Sequence, residues 1–260
     1  MGIKNAKHGS GIRIPKAAEL IAKKIKHDIV TQTLKEGQLL PPEVKLMEEF
    51  GVSRPTIREA YRILEAERLV SVTRGAKGGA LVHRPDPHLV NEYMVFVLAW
   101  ERATMAEAYE ARYSFEPEVV RIVASRFSDT APSVLSETLE RAKVLISKPE
   151  DFVNTMADFH EALVDLSQNH VLRLMSSTIR DVAIRHMVMV NTRIRQEEGE
   201  EKYLTSANKG VKSCTKLINL IKENQVDAAV DHWREHIKRA NDVWLTNSDM
   251  LIQDLYPEIG

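Results

Sequence analysis

Arg54, Thr56, Arg58 and Arg62 place three guanidinium groups and a hydroxyl within one short stretch of chain. Arginine can fork onto guanine O6 and N7, threonine can bond a base edge or a phosphate, and the N-terminus of a helix attracts phosphate. Between these residues Ile57, Ala60, Tyr61 and Leu64 recur at helical spacing, so the polar groups fall largely on other faces of a predicted helix. Ser53 stands just ahead, where its hydroxyl is placed to cap that helix. A second group of cations follows in RGAKGG, where Arg74 and Lys77 flank Gly75 and Ala76 on a glycine-rich tip suited to phosphate or minor-groove contact. An amphipathic helix with solvated arginines is a common object; a basic tip beside it is the arrangement of a DNA reader.

The elements that must position these groups run from Leu39 to Val82, LLPPEVKLMEEFGVSRPTIREAYRILEAERLVSVTRGAKGGALV. Pro41 and Pro42 suit the entry of a helix, where a missing N–H costs nothing, and Val44, Leu46, Met47 and Phe50 then supply an apolar face. Gly51 tolerates the left-handed backbone that ends it, Val52 plugs the corner, and the next helix starts at Arg54. Leu69 to Thr73 and Ala80 to His83 read as two short strands around the tip. Upstream, Ala18, Ile21, Ala22, Ile25, Ile29 and Val30 make an amphipathic buttressing helix within Ala17 to Thr33. Residues 1–15 are polar and basic and are read as a flexible arm. The order PPE, FGVSR, REA, LEAE and glycine wing closely resembles the winged helix-turn-helix of GntR-type bacterial transcription regulators.

Composition sets the wider frame. The chain has 260 residues, enough for one large or two modest domains, and a formal net charge of −1 that conceals a division. Met1 to Asp86 carries 16 Lys and Arg against 10 Asp and Glu, whereas the remainder carries 20 against 27. A basic module gains affinity for DNA by releasing counterions; an acidic one is repelled by phosphate and suits a partner protein or a small ligand. No apolar run is long enough to span a membrane and Met1 to Lys16 lacks the apolar core of a signal peptide, so a cytoplasmic protein is expected. The single cysteine, Cys214, excludes an internal disulfide and there is no CxxC pair.

Pro85 and Pro87 mark a joint, and the rest is helical in pattern, near 87–101, 104–127, 131–147, 149–168, 170–197, 203–224 and 225–248, with Pro117 expected to kink the second. The expected class is mainly α, with an N-terminal winged helix-turn-helix over 16–84, a linker and connecting helix over 85–102, an all-α bundle over 103–250 and a tail over 251–260. Ala108 to Arg126, Phe159 to Asn169 and Leu220 to Ile237 resemble the signatures of the FCD effector domain that defines the FadR subfamily.

That resemblance implies a homodimer that reads an inverted repeat and responds to an effector through the joint. Repression is the usual outcome, and the implied effector is an acyl, sterol-like or aromatic carboxylate or its CoA thioester. Many FCD domains hold a divalent metal with an Asp and a His one turn apart and two further His. Here His160 and His236 match two of the histidines, Cys214 stands at the third and Met156 replaces the Asp, so no cofactor is expected; were Zn²⁺ bound, His160, Cys214 and His236 would hold it. Arg112 matches the arginine of the family's EAR signature, near the effector cavity, and either receives an anionic ligand or pairs with Glu110, Glu116 or a residue on another helix. The expected effector residues are therefore Arg112, His160, Cys214 and His236. Met175, Met187, Met189 and Val190, around Arg185 and His186, would suit an adaptable apolar pocket.

Departures in the DNA-binding part also count. Val44 replaces an arginine common after PxE, Pro55 removes a donor, and Arg68 replaces a glycine at a position expected to need positive φ. Two rival readings remain open: a metal-dependent hydrolase on the bundle using His160, His186 and His236, or a DNA-binding protein whose bundle only dimerises. Against the first, the sequence has no HExxH, GxSxG or phosphate loop, so a non-enzyme is expected.

Overall fold

The computed structural model describes residues 16–73, 79–245 and 249–257. It divides into two compact units, Met1–Asp86 and Pro87–Gly260. The expected arm at 1–15 and the tip residues Arg74, Gly75 and Lys77 lie outside the described residues.

The first unit comprises α1 (Ala17–Val30), α2 (Glu43–Phe50), α3 (Arg54–Ala66) and an antiparallel pair, β1 (Val70–Thr73) and β2 (Gly79–Val82). α1 and α2 pack on α3, and the core joins Ile21, Ile25 and Leu46 to Ile57, Leu64 and Val82. The anticipated apolar face of α3 is buried throughout, with Ile57, Ala60 and Leu64 fully so. Gly51 ends α2 at φ 63°, and Arg68 takes φ 54° after α3, the left-handed backbone a glycine would adopt without strain. Three expectations need correction. Val30 and Val44 are exposed, because each lies beyond the stripe its helix turns inward. Ser53 occupies the N-cap position but its side chain caps no amide; with Pro55 in the first turn one donor is missing, and the hydroxyl pairs instead with Thr56 Oγ1 at 3.0 Å.

In the second unit α4 (Pro87–Trp100), α5 (Met105–Arg126), α6 (Ala131–Val144), α7 (Pro149–Leu166), α8 (His170–Glu197), α9 (Glu200–Lys222) and α10 (Val226–Trp244) form a bundle. Thr104 opens α5 by accepting from the Glu107 amide at 3.2 Å while Glu107 accepts from the Thr104 amide at 2.7 Å, a reciprocal cap that fixes the helix start. Helix α5 runs through Pro117 and packs against α10, α8 and α7, so one face of it lines the bundle interior. The connecting helix α4 packs on α8 through Asn91, which accepts from Thr178 at 2.9 Å and Ser177 at 3.1 Å. The segment set apart as a tail from 251 belongs to this core. Ile252, Leu255 and Tyr256 are buried beside Met105 and Tyr109, and Met105 N–H donates to the Met250 carbonyl at 2.9 Å. Tertiary burial holds this short 3₁₀ turn, Ile252–Leu255, with no helical repeat to announce it.

Candidate functional site

The first unit presents α3 with its apolar stripe inward and its cations outward. The side chains of Arg54, Arg58 and Arg62 are 52%, 63% and 78% exposed. Arg54 and Arg58 approach the same carboxylate: Arg54 Nε lies 3.2 Å from Glu43 Oε2 and Arg58 Nε 3.2 Å from Glu43 Oε1. Arg62 pairs with Glu59 at 3.1 Å on its own helix. Glu43 was visible in the sequence only as part of PPE; its reach across to α3 is a tertiary contact with no local signal.

The second unit brings Arg112 and His160 together, one turn of α5 against α7. Arg112 Nε donates to Glu116 Oε2 at 2.6 Å, and its Nη2 lies 2.8 and 3.0 Å from the two ring nitrogens of His160. His160 Nδ1 is in close contact with Glu116 Oε1, which also accepts from Trp233 Nε1 at 3.1 Å. Glu116 thus ties α5, α7 and α10 together while buried. Burial pushes its carboxyl up, yet the charge of Arg112, helped by His160, outweighs this and holds it below the usual carboxylate range. Burial lowers the His160 and His236 imidazoles below their ordinary range. His236 stacks on Trp233, centroids 4.4 Å apart.

A cavity of about 30 Å³ lies beside this network, lined by Arg112, Glu116 and His160 together with Phe115, Ala183 and Met187. Arg180 and Glu161 also line it. Arg180, on α8, bridges to Asp158 at 2.8 Å and Glu161 at 3.3 Å on α7. Cys214 and His236, expected beside Arg112, lie outside this lining. Of the methionine-rich stretch only Met187 faces the cavity; Met175 and Met189 are exposed and Val190 is core. His186 is buried and bonded to Tyr109 at 2.9 Å, and Arg185 lies over the Tyr256 ring at 4.3 Å. Sequence reasoning missed Trp233 and Arg180, which reach the site from other helices.

The residues present do not fit a metal centre. Met156 is a poor ligand for hard or borderline cations, and both ring nitrogens of His160 are within hydrogen-bond distance of a guanidinium. Burial, with the nearby Glu116 charge, pushes the Cys214 thiol far up, so it is no ready thiolate. Among the described residues no group of three or more His, Cys, Asp or Glu is placed to hold an ion.

A basic winged helix-turn-helix joined to a helical bundle with a small, largely apolar cavity beside a buried ion pair defines a ligand-responsive class of DNA-binding regulator. Residues 17–80 match the bacterial regulatory proteins of the gntR family and residues 107–239 match the FCD domain, so the chain belongs to the GntR family, in its FadR-like branch. It is similar to the HTH-type transcriptional repressor NanR of Citrobacter rodentium, 24% identical over 88% of this chain and 85% of that one. It is 32% identical to the Uxu operon regulator of Haemophilus influenzae over 58% of this chain, a match that spans only 55% of that relative's length. Streptococcus agalactiae GntR shares the fold, with a TM-score of 0.63 at 20% identity, covering 86% of this chain and 99% of that one. These relatives are regulators of transcription rather than enzymes. Among the described residues no helix is long and apolar enough to cross a membrane.

Proposed function

We propose that this chain is a cytoplasmic, homodimeric repressor that reads an inverted-repeat operator through α3 and releases it when a small molecule enters the cavity beside Arg112. The observation that carries the reading is the exposed set Arg54, Arg58 and Arg62, with half-buried Thr56 among them, on a helix whose other face is core. Ser53 and, from the sequence, Arg74, Gly75 and Lys77 complete the proposed DNA-contacting set, the latter toward phosphate or the minor groove. Repression follows the function named for NanR.

Dimerisation is assigned to α4. Tyr93, Phe96 and Trp100 are 73%, 53% and 84% exposed on a helix whose only carboxylate is Glu92, so a second copy meets little charge repulsion there. The proposed effector is a carboxylate. A cavity of about 30 Å³ must widen to admit any of the acyl, sterol-like, aromatic or CoA-linked candidates, and it must widen least for a compact aromatic acid. Even this ligand must part α7 from α8, and the Arg180 pairs with Asp158 and Glu161 are partly exposed, so they cost little to break.

Duplexes enriched by the protein from a random-sequence pool supply the test. Arg58→Ala should weaken binding to the selected duplex by about 1–3 kcal/mol and relax discrimination at one position, with Thr56→Ala doing less. In the same assay benzoate should release the DNA. Equal affinity of wild type and Arg58→Ala in the same salt would remove α3 as the reading face.

A further inference from the structure

Both arginines that meet Glu43 do so through Nε, the side of the guanidinium that points back along the side chain. One way for arginine to read guanine is end-on, with its two Nη nitrogens donating to O6 and N7. A carboxylate held at Nε therefore leaves the Nη edge of each arginine free to fork onto a base while restricting how the group can turn. Glu43 is itself well placed for this. It opens the first turn of α2, where the helix dipole favours a carboxylate, and its side chain is 26% exposed against 52% and 63% for the two arginines. One carboxylate, with one oxygen on each arginine, also fixes the spacing between the two forks. Its charge opposes approach to phosphate, so it lowers affinity for any duplex while favouring the one whose bases match the forks.

Resting on the assignment of α3 as the reading helix, we propose that Glu43 is a positioning residue for sequence recognition, which sets Arg54 and Arg58 side by side for end-on contact with bases. Glu43 contacts no base. It converts two flexible cations into a spaced pair, and the entropy lost on binding falls because the rotamers are already restricted.

The test compares Glu43→Gln with wild type on the duplex enriched from a random pool and on an unrelated duplex of equal length, at several salt concentrations. The expected result is that affinity for the unrelated duplex rises while the ratio of the two affinities falls by about tenfold. In the Arg54→Ala, Arg58→Ala background Glu43→Gln should leave that ratio unchanged, a coupling that a purely structural role would not produce. Glu43→Asp, which keeps the charge but draws the oxygens back by a methylene, should also lower the ratio, and it carries the test should Glu43→Gln lose its fold. Equal rises on both duplexes would mean bulk repulsion alone and would overturn the proposal, as would an undiminished ratio or a missing coupling. A wild-type protein that enriches no duplex refutes the underlying assignment of α3 and this proposal with it.

Discussion

Replacing Glu116 with alanine removes the carboxylate that Arg112, His160 and Trp233 share, and the consequence follows from burial. Arg112 is 5% exposed and Glu116 3%, so the variant strands a guanidinium charge inside the bundle and deprives the Trp233 indole of its acceptor. Breaking a buried pair by deleting one partner costs about 3–5 kcal/mol, several times what an exposed pair contributes. For a unit of this size that corresponds to a melting temperature lowered by about 6–20 °C. The assay is favourable because the three tryptophans, Trp100, Trp233 and Trp244, all lie in the second unit, so their fluorescence follows its unfolding and leaves the DNA-binding unit silent. The double variant Arg112→Met, Glu116→Met removes both charges and should recover much of the loss, since apolar replacements of a buried pair are often neutral or better. A Glu116→Ala variant within about 1 kcal/mol of wild type, or a double variant no more stable than the single, would refute the account of this network as a buried, mutually dependent pair.

Phe96→Glu should shift the protein from dimer to monomer in sedimentation at micromolar concentration, because it sets a charge against its own copy on the exposed face of α4; an unchanged dimer would place the interface elsewhere. Protein purified without a chelator or a metal-leaching tag should carry no stoichiometric metal, and EDTA should leave its melting temperature unaltered; near-stoichiometric zinc lost in His160→Ala and His236→Ala would overturn the donor-set argument.

What the sequence made legible is what local chemistry decides. The start of α3 at Arg54, its buried residues Ile57, Ala60, Tyr61 and Leu64, the left-handed turn at Gly51 and the positive φ at Arg68 each follow from spacing or from a backbone preference within a few residues. The seven bundle helices were likewise readable, because each buries a stripe at helical period against its neighbours. Errors arose where a local rule met a competing one. Ser53 has the right place to cap but gives its hydroxyl to Thr56 beside Pro55, and Val30 and Val44 are apolar yet fall off the stripe that their helices turn inward.

The polar sites were legible only in halves. Arg112 and Glu116 are four residues apart on one helix, so their pairing could be named from spacing, but nothing in the sequence brings His160 from α7 or Trp233 from α10 to the same carboxylate. The same holds at the DNA face, where Arg54 and Arg58 share a helix and Glu43 arrives from α2 across a turn. In both places two residues at helical spacing supply the cations or the pair, and a group from another helix decides how they point. Recognition residues are therefore predictable from pattern wherever they lie on one helix face, whereas the residues that orient them depend on packing, which Ile57 and Leu46 determine in the first unit and Phe159 and Val120 in the second.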